Sequence, residues 1–318
     1  MPGPEFRFPR DHGAHLGYRI EWWYLTATLT DADGRDYGVQ WTLFRSALEP
    51  RTIRGWRPGQ IWMGHAGLTT DQAHFAAERF ARGGLGQAGV TTDPFVAWID
   101  DWAMTSRAEG GADALSLINV VARGLDFAYD LWLEAQGPPI FHGDGGFSVK
   151  SADGQASHYY SQPFYTVAGT LALPDGNIPV TGTAWLDREW SSRPLSPDQR
   201  GWDWFSLQFA DGARMMGFGL RSDVRATFTA ATWIAPDGTT TAYPDGALKL
   251  TPLGTRRVAG RQIPIRWRVE LPARGVDVET APLNPHSWMA TTVPYWEGPI
   301  RFTGSHEGRG YLEMTGYE

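Results

Sequence analysis

One unit of sequence occurs twice in this chain. Glu21-Trp22-Trp23-Tyr24-Leu25 leads through Asp33-Gly34 to Leu43-Phe44-Arg45, and Gly201-Trp202-Asp203-Trp204-Phe205 leads through Asp211-Gly212 to Gly219-Leu220-Arg221. Each copy reads as an aromatic strand, a tight turn and a return strand ending in arginine, because Asp-Gly between apolar runs signals a hairpin. Asp175-Gly176-Asn177 and Asp237-Gly238 punctuate the chain in the same way. The closing segments repeat too: residues 163–169 match residues 295–301, and Gly182-Thr183-Ala184-Trp185 matches Gly310-Tyr311-Leu312-Glu313. A duplicated set of hairpins implies two similar β units in succession.

Local patterning agrees. Leu125, Phe127, Tyr129, Leu131 and Leu133 alternate with Asp126, Ala128, Asp130, Trp132 and Glu134, the period of two expected of a strand. Ile265, Trp267, Val269 and Leu271 alternate with Arg266, Arg268 and Glu270, giving the wet face that antiparallel sheets allow. Residues 71–82, with paired alanines, are helix-like in composition, a strand extension being the alternative. The expected fold is all-β, with two consecutive antiparallel β-barrel domains; closure removes exposed edges, and barrels of about eight strands can hold one small ligand. The Ser/Pro-rich, charged stretch 191–200 reads as a linker between an N-terminal domain, 1–190, and a C-terminal domain, 201–318.

With 318 residues, 42% of them hydrophobic, the chain can fill two cores. Its 16 Trp, 11 Tyr and 15 Phe also supply aromatic surface for a cavity, which favours an apolar small-molecule ligand. A net charge of −7 and the lack of a Lys/Arg run argue against nucleic acid as a partner. Without cysteine there is no disulfide, thiolate catalyst or Cys-ligated zinc, while the redox compartment stays open. No apolar run approaches the roughly 20 residues of a spanning helix, so the chain reads as soluble, with peripheral membrane contact a route for ligand uptake. The opening Met1-Pro2-Gly3-Pro4-Glu5-Phe6 reads as a leader joined to a trimmed protein, compatible with a removed export signal and a periplasmic or secreted destination. Oligomeric state is not legible.

The leading chemical candidate is Asp187, in Trp185-Leu186-Asp187-Arg188-Glu189-Trp190. Laying Gly182 over Gly310 puts Thr315 opposite Asp187 and Tyr317 opposite Glu189, so on that overlay the acid cluster belongs to the first copy alone. An aspartate partly desolvated by Trp185 and Trp190 has a raised pKa and can act as an acid. The alternative is a salt bridge from Asp187 or Glu189 to Arg188 or Arg193. His158 and Tyr160 precede a predicted strand and can reach a cavity mouth, or His158 is a hydrogen-bonded structural residue. Glu21, Trp23, Tyr24, Trp190 and Trp204 are the candidate cavity wall, with Glu21 alternatively paired to Arg19 or Arg45. Asp11, His12 and His15 lack further ligands at metal-site intervals and read as a structural loop. The Gly84-Leu85-Gly86-Gln87-Ala88-Gly89 run lacks the strand and helix of a dinucleotide site, and neither a GxSxG elbow nor a P-loop occurs.

Phe8-Pro9-Arg10-Asp11-His12-Gly13-Ala14-His15, Glu21-Trp22-Trp23-Tyr24, residues 182–190, Tyr295-Trp296-Glu297-Gly298 and Gly310-Tyr311-Leu312-Glu313 together resemble the lipocalin-like family that includes AttH proteins and the carotenoid 1,2-hydratases. The resemblance covers nearly the whole chain and implies two consecutive lipocalin-like barrels. It implies either a hydro-lyase that adds water to an isoprenoid double bond, or a related addition or isomerisation, without metal or organic cofactor; the alternative is a noncatalytic carrier of hydrophobic ligands. In the hydratases an aromatic-x-Asp motif and an upstream His-x-aromatic pair are associated with catalysis. Trp185-Leu186-Asp187 and His158-Tyr159-Tyr160 occupy those places. Trp185, Leu186 and Arg188 stand where the hydratases carry Tyr and His neighbours, so the motifs are closer to the AttH branch.

Overall fold

The computed structural model describes residues 5–49, 59–193 and 195–317. Residues 1–4 of the expected leader and Pro194 of the expected linker lie outside them. The four Asp-Gly turns named above join neighbouring antiparallel strands: Ile20–Thr30 to Asp36–Ala47, Ala156–Leu173 to Gly176–Arg193, Gln199–Phe209 to Arg214–Ser222, and Phe228–Ile234 to Thr240–Tyr243. Gly34, Gly212 and Gly238 supply φ angles of 80°, 94° and 85°, where a side chain would be strained.

The described residues contain no α-helix. The helix-like segment 71–82 forms the strand His74–Arg82, paired with Gln60–Thr69. There the cross-strand pair His65–Glu78, joined at 3.0 Å, and the sheet ladder outweigh the helix propensity of its alanines. The stretch expected as a linker is strand at both ends, since Gly176–Arg193 continues through Arg193 and the next strand opens at Gln199.

Two antiparallel sheets result, one of 13 strands within residues 20–193 and one of 10 within 199–314. In each, the opening strand lies between its hairpin partner and the last strand. Ile20–Thr30 is flanked by Asp36–Ala47 and Gly176–Arg193, and Gln199–Phe209 by Arg214–Ser222 and Gly308–Met314. Bringing the last strand back beside the first gives each sheet a barrel-like curl.

The central strands are buried on both faces. In Gly176–Arg193, Ala184, Leu186 and Trp190 enter the core of the first sheet, while Trp185 joins a separate cluster with Tyr24, Tyr159, Trp204, Phe218 and Tyr311. That cluster draws on both sheets and packs them together. Its aromatic rings meet edge to face, Trp185 and Trp204 at 6.2 Å and Tyr24 and Trp204 at 5.3 Å, contacts each worth about 0.5–1.5 kcal/mol beyond area burial. The second core is built from residues of the second sheet, including Phe205, Trp267 and Trp296.

Strand pairing also aligns the two copies. With Trp22 over Trp202, Leu29 falls on Phe209; Leu29 pairs with Gly182 and Phe209 with Gly308. A Cβ on Gly182 would lie 2.1 Å from the Thr28 carbonyl oxygen, and one on Gly308 would lie 2.1 Å from that of Gln208, the equivalent residue. Gly182 therefore corresponds to Gly308, not Gly310, and the overlay drawn from sequence is two residues out of register. We predict that Gly182→Ala and Gly308→Ala each lower stability by about 1–3 kcal/mol through overpacking. Gly254→Ala, where a Cβ meets nothing within 4 Å, should be nearly neutral. Denaturant unfolding of the three variants checks this.

Candidate active site between the two sheets

A cavity of about 240 Å³ opens between the sheets. Corresponding positions of the two copies line it in pairs: Trp22 and Trp202, Tyr24 and Trp204, Phe44 and Leu220, Asp187 and Glu313. The register requires this, because Tyr24 pairs with Asp187 and Trp204 with Glu313. A carboxyl thus occupies the same position in both copies. The sequence overlay hid this by placing Thr315 opposite Asp187.

Asp187 is buried, with 3% of its surface exposed. Trp185 Nε1 donates to Oδ1 at 2.5 Å, Tyr159 Oη donates to Oδ2 at 2.6 Å, and Ser161 Oγ bonds Oδ1. Trp204 Nε1 donates to Tyr159 Oη at 3.0 Å, which directs the phenol hydrogen to Asp187. Behind Ser161, His142 Nε2 lies 2.6 Å from the Ser161 hydroxyl and Nδ1 lies 2.9 Å from Thr232 Oγ1. Burial, with the nearby Lys150 charge, lowers the His142 pKa to about 3, so the ring is neutral. Hydroxyls and a neutral imidazole each donate and accept. The chain Thr232–His142–Ser161 therefore serves Asp187 whether ionised or protonated.

All the donors to Asp187 are uncharged, and this decides its titration. Burial pushes its pKa up, outweighing the Ser161, Tyr159 and Trp185 hydrogen bonds, and the Glu189 charge adds to it; the carboxyl reaches about 7. Neither arginine proposed as a partner takes it. Arg188 pairs with Glu21 at 3.1 Å, and Glu189 pairs with Lys150 at 2.9 Å. Among the described residues no ion pair reaches Asp187.

The strand alternation sorts the other candidates. Trp185 and Asp187 share the cavity side, whereas Arg188 and Trp190 point into the first sheet's core. On Ala156–Leu173, Tyr159 and Ser161 meet Asp187, whereas His158 and Tyr160 lie on the opposite face. His158 hydrogen-bonds Tyr18 at 2.8 Å and stacks on Trp190, and Tyr160 bonds His12 at 2.7 Å. The structure thus separates His158, Tyr160, Trp190 and the core residue Trp23 from the cavity, while Asp187, Tyr24, Trp204 and Glu21 border it.

Glu21 has a different environment. Its carboxylate binds Arg45, Arg188 and the His15 backbone N–H. Burial opposes ionisation, but the His15 hydrogen bonds and the Arg188 and Arg45 charges prevail and hold it at about 2. It is a structural anion beneath the cavity wall. His12 and His15 face different partners, Tyr160 and Asp113 for the first, Asp11 and Glu21 for the second. No group of three or more His, Asp or Glu among the described residues is arranged to hold a metal ion.

Sequence reasoning missed Tyr159, Ser161, His142 and Glu313. The first two were recoverable from period two once Asp187 was chosen, since its cross-strand partner Ser161 and Tyr159 share one face. Glu313 needed the register of the second copy. Burial raises its carboxyl to about 7 against the Trp202 hydrogen bond, with the Asp187 and Glu189 charges adding to the rise.

Three comparisons place this architecture. An AttH protein from Nitrosomonas europaea superposes with a TM-score of 0.88 and 32% identity, over 100% of this chain and 99% of that one. Kievitone hydratase from Nectria haematococca gives a TM-score of 0.73 at 16% identity, over 98% and 90% of the chains. CghA bound to Sch210972 gives 0.56 at 11%, over 94% and 89%. Among curated protein sequences none matches. The expected lipocalin-like pair of β units is therefore the fold, and since the AttH-like family model matches residues 1–317, the chain belongs to the AttH-like family.

Proposed function

We propose that the inter-sheet cavity binds an apolar alkene, isoprenoid or related, and that Asp187 protonates its double bond so that water adds without a cofactor. The observation that carries this reading is a buried aspartic acid, free of cationic partners and close to neutral pKa, on the wall of an aromatic cavity. A carboxylate tied to arginine could not hold a proton there; Asp187 can.

In the first step the alkene π pair forms a C–H bond with the Asp187 proton at the less substituted carbon, leaving a tertiary cation. Tyr159, Ser161 and Trp185 then stabilise the carboxylate left behind. Trp22, Tyr24, Trp202 and Trp204 line the space where the cation would lie, and ring faces attract cations. Water closes the addition by bonding to the cationic carbon and releasing a proton. At about 240 Å³ the cavity is smaller than usual drug-sized sites, so it suits a short branched alkenyl group better than a long polyene. That a hydratase shares the fold supports the reading by analogy.

Prenylbenzene, a trisubstituted alkene with an aromatic tail, is a suitable probe. With it, Asp187→Asn should lower turnover about 10²–10⁴-fold while binding changes little; turnover equal to wild type would sink the acid role and leave a ligand carrier.

The same carboxyl makes stability depend on pH. Its pKa is raised on folding from 3.8 to about 7, so the native state binds this proton more tightly than the unfolded chain. The resulting stabilisation is full below about pH 4 and is lost as pH rises through about 7. The stability difference between wild type and Asp187→Asn should therefore shift by up to about 4 kcal/mol between about pH 4 and pH 8, the variant gaining at the alkaline end. Denaturant titrations across that range measure it, and parallel curves for the two proteins would contradict the assignment.

A further inference from the structure

We propose that Glu313 is a second catalytic carboxyl, the base that takes the proton of the adding water after Asp187 has protonated the alkene. This rests on the acid role given to Asp187 and adds a residue and a direction to it.

Asp187 pairs with Tyr24 on the opening strand of the first sheet, Glu313 with Trp204 on the opening strand of the second, and these are equivalent places in the two copies. Both carboxyls line one cavity. The Asp187 charge adds to the rise that burial gives the Glu313 carboxyl. An acid-base addition needs one protonated and one ionised carboxyl on the same cavity, and these two border one.

Hydrogen bonding decides which carboxyl has which task. Tyr159, Ser161 and Trp185 occupy three of the roughly four acceptor sites of the Asp187 carboxylate. These donors stabilise the anion that remains once the proton has left, and they leave little room to receive a water. Glu313 has one protein donor among the described residues, Trp202 Nε1, so most of its acceptor sites remain for water. Asp187 is the acid and Glu313 the base.

The balance closes. The π pair takes the Asp187 proton, a water oxygen lone pair forms the C–O bond to the cation, and an O–H proton of that water passes to Glu313. The product is the tertiary alcohol. Transfer of the Glu313 proton to Asp187, directly or through a water in the cavity, restores the starting state.

Prenylbenzene in D₂O separates the two roles. Wild type should give the deuterated tertiary alcohol. Asp187→Asn should give neither alcohol nor deuterated alkene, because no cation forms. Glu313→Gln should form alcohol about 10²-fold more slowly or worse, while the recovered alkene gains deuterium, since the cation still forms and returns its proton to Asp187. Alcohol formation at the wild-type rate in Glu313→Gln overturns the base role and leaves the Asp187 reading intact. Full exchange and hydration in Asp187→Asn overturns the Asp187 reading instead.

Infrared titration of the carboxyl C=O band tests the pair without substrate. Three carboxyls should titrate near neutrality in wild type, Asp187 and Glu313 at about 7 and Asp203, raised by burial, at about 6; Asp187→Asn should remove the first and shift the Glu313 midpoint downward by removing its like-charged neighbour. A midpoint unmoved by that substitution overturns the pairing even if wild type proves inert toward the probe, a result that by itself counts against the Asp187 reading. Circular dichroism of both variants verifies that they are folded.

Discussion

Burial of the central strands on both faces is the constraint from which the rest follows. A β-strand sends successive side chains to opposite sides. Where both sides are dry, one step along the chain moves a residue from one environment to another of different polarity. On Gly176–Arg193, Leu186 and Trp190 complete the packing within the first sheet, and Trp185 and Asp187 enter the space between the sheets. The same strand therefore builds one unit and furnishes the site against the other. A slip of one residue would place Arg188 in the cavity and Asp187 in an apolar core, so the register that specifies the fold also specifies the chemistry.

Three buried acids show how surroundings divide the labour. Glu21 lies between Arg45 and Arg188 and stays ionised. Asp187, held by a phenol, a hydroxyl and an indole, is poised near neutrality. Glu297 receives the Tyr24 hydroxyl at 2.6 Å, and burial together with the Glu313 charge pushes it well up, against hydrogen bonds from Tyr24 and Tyr295. All three sit in comparable burial; charged donors set Glu21 apart from Asp187 and Glu297, whose donors are neutral. A carboxyl meant to give up a proton needs donors strong enough to steady its anion and too weak to force ionisation in advance.

Much of the architecture was legible in the sequence because its signals are local. Asp-Gly pairs mark four hairpins, and the aromatic-turn-arginine unit marks the duplication, since each depends on a few adjacent residues. Pairing is not local. Gly182 and Gly310 look alike as neighbours of similar residues, yet Gly182 pairs with Leu29, and it is Gly308 that pairs with the equivalent Phe209. That error of two residues preserved the facing of every side chain while concealing Glu313. His158 and Tyr160 were misjudged for a different reason: closeness to Asp187 along paired strands says nothing until the alternation is applied, and it turns them toward Tyr18 and His12. His142 carried no signal, since it reaches Ser161 and Thr232 from a short strand's end. The residues 71–82 read as helix because composition cannot see the strand beside them.

The two copies diverge where the chemistry would require it. Ser161, beside Asp187 in the first copy, corresponds to Glu297, beside Glu313 in the second. Trp185 corresponds to Tyr311, and Tyr159 to Tyr295, whose hydroxyl lies 3.0 Å from His65 Nδ1. In the first copy the neighbours are neutral donors converging on one carboxyl. In the second, a carboxyl stands next to a carboxyl, and Tyr24 bonds Glu297 rather than Glu313. Burial, with the Asp187 and Glu189 charges adding to it, raises Glu313, and Trp202 is the one donor to its carboxylate among the described residues. Burial thus brings two carboxyls at equivalent places to similar proton affinities, with unlike sets of hydrogen-bond donors. One is crowded with donors and suited to releasing a proton, and the other is open and suited to receiving one. Duplication supplied the symmetric frame, and the Ser161/Glu297 and Trp185/Tyr311 differences give the two carboxyls unlike surroundings.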